Sequence, residues 1–149
     1  MVNVVTELLD PNAMSRYLSG VADVEDAGDL YEIETDADGW VGTGDNGIAI
    51  DDTDGERFLI KYELWDGAPP PLASWDDSWS GSVRLESGKV RAVSQYSGDE
   101  SYGAEFDLGR PEAAWQVRVH RKYLRHEEFT ADVVGVTLLK LQFWPAAQA

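Results

Sequence analysis

The sequence predicts an all-β protein, an antiparallel β-sandwich of about eight or nine strands with one short N-terminal helix, and three observations carry that prediction. From Leu30 onward apolar residues recur with a period of two in short runs. Gly- and Asp-bearing turns separate the runs. No helical stretch lies between them, so neighbouring strands are expected to pair antiparallel rather than through long crossovers.

Met1 to Leu9 is rich in Val and Thr and reads as a strand. The helix signal follows at once. Asp10 suits an N-cap, Pro11 the first helical position, and Gly20 a stop after residues 12–19. An acidic connector, 21–29, leads to the expected strand 30–35 and the turn Asp36-Ala37-Asp38-Gly39. Trp40-Val41 and Ile48 to Ile50 flank a Gly-rich turn, 42–47, and a further acidic turn, 51–55, precedes the clearest strand. There Phe58, Ile60, Tyr62 and Leu64 alternate with Leu59, Lys61, Glu63 and Trp65. Three successive prolines, Pro69 to Pro71, remove three ladder donors and make 66–71 a loop. Residues 79–86 and 89–94 flank Ser87-Gly88 and read as a hairpin. Runs at 102–108, 115–120 and 133–144 complete the set, and Pro145 ends the last. One domain over 1–149 is expected, with 1–29 as strand, helix and connector and 30–145 as the sandwich.

The 149 residues carry a formal charge of -16 and contain no Cys. The missing thiols exclude a disulfide scaffold, thiolate catalysis and a cysteine metal site. The acidity argues against direct nucleic-acid binding, which needs a basic face to displace counterions. No apolar run suits a membrane span, and the first residues lack the pattern of a secretion signal, so a cytoplasmic protein is expected. Residues 1–56 alone hold 15 acidic side chains and one basic. The opposite pole is the short run Arg118, His120, Arg121, Lys122, Arg125, in which Gln116, Arg118, His120 and Lys122 would share one strand face as a basic stripe, most simply an exposed face that pairs with nearby acids.

No motif passes the first test for catalysis. Glu34, Asp36, Asp38, Gly39 and Asp45 imitate the spacing of a calcium loop, but strand-like residues flank them where helices are required. Asp52-Thr53-Asp54-Gly55 is explained by turn chemistry. His126 lacks a second histidine four residues on, and no Ser sits in a Gly-x-Ser-x-Gly elbow. Gly42-x-Gly44-x-x-Gly47 opens no helix, so it fails the dinucleotide fingerprint. No metal, cofactor or catalytic residue is therefore expected.

Two readings of a binding site remain. The first is an acidic surface made by Asp36, Asp38, Asp45, Asp51, Asp52, Asp54 and Glu56, suited to a basic protein. The second is a cluster of Trp65, Trp75 and Trp79 around the proline loop, which either caps one end of the core or offers a stacking platform to a sugar or proline-rich peptide.

The runs at 58–65, 75–87, 105–109 and 115–119, with the tail Leu141-Gln142-Phe143-Trp144-Pro145, resemble a group of acidic actinobacterial β-proteins to which no activity is assigned. Over 57–120, the order of a long apolar strand, a hairpin, Phe106-Asp107-Leu108-Gly109 and an alternating strand is similar to the competence-J nuclease inhibitors. That resemblance implies a sandwich that binds and blocks a nuclease, with no individual residue carried over. The expected function is a non-enzymatic inhibitor or immunity protein that engages a basic nuclease or toxin.

Overall fold

Two six-stranded sheets face each other in the computed structural model, which describes residues 2–10, 14–15, 18–26, 30–35, 39–51, 57–96, 98–124, 128 and 136–146. The first sheet, here sheet A, contains β1 (Val4–Leu9), β2 (Met14–Ser15), β6 (Arg57–Trp65), β7 (Asp77–Leu85), β11 (Ala113–Leu124) and β12 (Val136–Pro145). Its order is β1-β6-β12-β11-β7, with β2 also on β6. Sheet B contains β3 (Leu18–Asp23), β4 (Val41–Gly44), β5 (Gly47–Ile50), β8 (Lys89–Tyr96), β9 (Asp99–Tyr102) and β10 (Phe106–Asp107). Its order is β10-β8-β3-β5-β4, with β9 on β8.

The expected alternation sets the core. Phe58, Ile60, Tyr62 and Leu64 of β6 point inward beside Leu139, Leu141 and Phe143 of β12 and Trp115, Val117 and Val119 of β11. They meet Val21, Ile48, Ile50, Val90 and Phe106 of sheet B, and the Tyr62 and Phe106 rings stack at 5.3 Å between centroids. Trp40 and Trp79 pack against the edge of this cluster, where the Arg121 guanidinium lies 4.0 Å from the Trp40 ring centre and pairs with Asp77 at 2.9 Å.

Several local expectations give way to long-range pairing. The helix over 12–19 is not formed: Met14 and Ser15 pair with Phe58 and Arg57, and Leu18 already belongs to β3. Asp10 still satisfies an orphan amide, but that of Ala104, at 3.1 Å from its Oδ2, rather than a helix terminus. Residues 30–32 form a single 3₁₀ turn instead of a strand. β6 and β12 run parallel, with residues 66–135 between them, whereas the other paired strands among the described residues are antiparallel.

The expected hairpin at Ser87-Gly88 is instead an arch between the sheets. β7 pairs with β11 in sheet A, whereas β8 pairs with β3, β9 and β10 in sheet B. Leu85 and Val90, on either side of the arch, both enter the core from opposite walls. The carboxylate of Asp23 holds it, accepting from the amides of Ser87 at 2.8 Å and Gly88 at 3.2 Å, and from Glu25 at 2.9 Å. Gly88 has φ +78, and a Cβ there would lie 2.2 Å from the Arg110 carbonyl oxygen, so no other residue fits without a shift.

Candidate protein-binding face

The outer face of each sheet carries a cover, and the two covers define the possible sites. On sheet A the cover is the loop 66–76. Directly opposed residues share a face, so Ser78, His120, Lys140, Lys61, Arg118, Gln142 and Glu63 all project outward from the ladder. The loop folds over them: Arg118 donates to the Pro69 carbonyl at 3.1 Å, Lys122 to that of Ser74 at 2.9 Å, and the Trp75 ring lies against His120 with centroids 5.7 Å apart. The basic stripe is thereby consumed within the fold.

Beneath the loop runs a chain of hydrogen bonds. Gln142 donates to Glu63 at 2.9 Å, so its carbonyl oxygen faces His120 and accepts from Nε2–H at 2.8 Å. Nδ1 then accepts from the Ser78 hydroxyl at 2.7 Å. Glu63 also receives Trp65 Nε1 at 3.0 Å and lies 3.1 Å from Lys61 Nζ and 3.6 Å from Lys140 Nζ. Burial would raise the Glu63 pKa, but the hydrogen bonds from Gln142, Trp65 and Lys61 and the charge of Lys140 outweigh it and hold the carboxyl below its usual range. Burial depresses the His120 pKa, with Arg118 and Lys140 acting the same way against the Gln142 hydrogen bond, so the ring is held neutral. Ser78 and His120 thus share the contact of a nucleophile and base, yet none of the clefts described below is lined by either.

The three tryptophans do not share a surface. Trp79 stands on the inner face of β7 and packs on the core with Trp40, whereas Trp65 and Trp75 lie on the outer face of sheet A in the network just described.

Sheet B is covered by residues 30–35. Small residues make the approach possible: a Cβ on Gly42 would sit 2.1 Å from the Glu34 carbonyl oxygen, and Ala22, Ala49 and Val93 form a shallow apolar floor for Leu30 and Ile33. Around this cover the surface is acidic. Glu25, Asp26, Glu32, Glu34, Asp45, Asp51, Asp99, Glu100, Glu105 and Asp107 are exposed on sheet B and its connections, against exposed Lys89 and Arg110 and half-buried Arg91. The ion pairs between described residues, Lys61–Glu7, Lys61–Glu63, Lys140–Glu63 and Arg121–Asp77, all belong to sheet A. Charge is therefore segregated by layer. Asp45 and Asp51 lie in the acidic layer; Asp36, Asp38, Asp52, Asp54 and Glu56 lie outside the described residues.

The carboxylates at 99–107 escaped the sequence reading because they follow the first third of the chain by a long interval; only the β8–β9 and β8–β10 pairings bring them beside β3. Here Glu100 accepts a hydrogen bond from the Tyr102 hydroxyl, and Arg91 lies 3.9 Å from the Tyr102 ring centre. Burial, with the charge of Glu100, raises the Tyr31 pKa. Clefts open at two places among the described residues. One, of about 300 Å³, opens beside Tyr31; two more, of about 190 and 480 Å³, flank the seam where Asp45 bridges to Arg84. No three described residues form a metal-ligating group, and no described helix is long and apolar enough to cross a membrane.

A two-sheet sandwich with one self-neutralised face and one acidic face defines the class. Within it, the chain is similar to ComJ, an inhibitor of the DNA-degrading activity of NucA, from Bacillus subtilis. The TM-score is 0.53 and the identity 11%, over 95% of this chain and 98% of that one. It is also similar to the product of crocagin biosynthetic gene J, with TM-score 0.52 and 15% identity over 99% of each chain. No protein-family model and no curated protein sequence matches the chain, so the expected actinobacterial resemblance finds no support there. The competence-J likeness expected over 57–120 extends, as a fold, along nearly the whole chain.

Proposed function

We propose that this chain is a non-enzymatic cytoplasmic inhibitor or immunity protein that binds a basic nuclease or toxin through sheet B and its cover. The observation that carries the reading is the segregation of charge. Sheet A spends its carboxylates on its own lysines and arginines, while the exposed acids of sheet B have no described cationic partner. Self-repulsion on that layer costs stability and is balanced by attraction once a cationic protein docks. The shared fold with a nuclease inhibitor supports the same reading. Asp45 and Asp51 belong to the proposed surface, joined by Glu32, Glu34, Asp99, Glu100 and Asp107, and by Asp36, Asp38, Asp52, Asp54 and Glu56 from the same acidic third of the sequence.

The test is inhibition of DNA cleavage by purified cationic nucleases of the same host, titrated with the full chain at low and high salt. Inhibition that weakens steeply with salt is expected. Failure to inhibit any of them at low salt would remove the proposal.

A further inference from the structure

The cleft beside Tyr31 differs from the rest of the acidic layer in having an apolar floor. Leu30, Ala49 and Ile50 are buried beneath it, and Ser19, Thr35 and Asp51 stand around it. Tyr31 is 49% exposed, so its ring stands at the mouth of the cleft with much of its surface open to solvent. At about 300 Å³ the space falls at the small end of the range of ligand pockets, roughly 300–1,000 Å³, and suits one side chain better than a large cofactor.

We propose that this cleft receives an arginine side chain presented by the basic partner. The inference rests on the protein-binding reading above and names its anchor. An arginine stem would lie on Leu30 and Ile50, its planar guanidinium would stack on Tyr31, and its N–H groups would donate to the Asp51 carboxylate and the Ser19 or Thr35 hydroxyl. Charge complementarity selects this occupant: Asp51 lines the cleft, Glu32 and Glu34 alternate in the chain with its lining residues Tyr31, Ile33 and Thr35, and no lining residue is basic, so a cationic side chain is attracted where an acidic one is repelled. Tyrosine and arginine are also the residue types that most often dominate protein interfaces.

The experiment is a nuclear magnetic resonance titration of the full chain with N-acetyl-arginine amide and, separately, with the uncharged isostere N-acetyl-citrulline amide. The arginine compound should shift the amide signals of Ser19, Thr35 and Asp51, and the citrulline compound should leave them in place. Equal shifts with both compounds, or arginine shifts centred on Asp99 and Asp107, would overturn the proposal. Tyr31→Ala should weaken arginine binding about tenfold, whereas Tyr31→Phe, which keeps the ring, should stay near the wild type. An equal loss in both variants counts against stacking and sinks the proposed geometry. Nuclease inhibition separates the two readings. If Asp51→Asn and Tyr31→Ala leave it intact while reversal of Glu100 and Asp107 abolishes it, the cleft fails as anchor and the acidic layer stands. If no variant of either set affects inhibition, both readings fall.

Discussion

The loop 66–76 and the segment 30–35 each cover the outer face of one sheet, but by opposite physical means. The first lies on a polar ladder and is held by directed bonds: Arg118 to Pro69, Lys122 to Ser74, Trp75 against His120. The second lies on a floor of small and mid-sized apolar side chains, with Leu30 and Ile33 against Ala22, Ala49 and Val93. One cover buries charges that must then find partners within the fold. The other buries almost none and leaves its carboxylates outside. The contrast teaches that an acidic protein need not be acidic everywhere; where charges are enclosed they are matched, and the mismatch is displayed on one layer.

The comparison breaks most severely at Glu63, which is 4% exposed and serves Gln142, Trp65, Lys61 and Lys140 together. Glu63→Ala should destabilise the protein by about 3 kcal/mol, because it takes the carboxylate from the half-buried Lys140 ammonium and from the buried Gln142 amide, while Lys61 keeps Glu7. Chemical denaturation measures it, and a loss no larger than that of an exposed sheet B carboxylate would erase the distinction between the faces.

Reversal of Glu32, Glu34, Glu100 and Asp107 to Lys is the complementary change. It should leave stability unchanged or slightly raised while slowing association with a basic partner by about 10²-fold at low salt. Stopped-flow association and thermal melting together report both halves. Unfolding of the reversed protein would show that these acids serve the fold after all.

A third, smaller effect is expected from Gly42→Val. The added side chain collides with the Glu34 backbone and should cost about 1–3 kcal/mol of stability. Because Glu32 and Glu34 ride on that cover, partner binding should weaken with it, which calorimetric titration of the folded variant would show.

The smallest effect concerns pH. Burial lowers the His120 pKa from its ordinary 6.5, so the neutral ring contributes stability that is complete above about pH 6.5 and is lost as pH falls through the lowered folded value. Glu63 adds a second loss further down, since its contribution is complete above about 4.5 and disappears as pH falls through its own lowered value. Urea midpoints across this range should decline in those two stages. His120→Gln should flatten the upper stage alone; an unchanged upper stage would assign it elsewhere.

Much of this was open to reading in the amino-acid order itself. Period-two alternation grouped Phe58, Ile60, Tyr62 and Leu64 on one face, because side chains on a strand alternate whatever the strand pairs with, and the structure turns that face inward. The absent thiols removed cysteine chemistry by stoichiometry alone. What only the tertiary structure decided is partnership. Ser87-Gly88 serves equally as a hairpin or an arch, and the choice fell to Leu85 and Val90, which bury from opposite walls. Asp10 reads locally as a helix cap, but Ala104, 94 residues away, supplied the amide. Glu63, His120 and Gln142 carry the alternation of exposed residues and became buried because a proline loop closed over them. Carboxylates from the first third and from 99–107 joined one layer through β8, a pairing set by long-range burial that no local window contains.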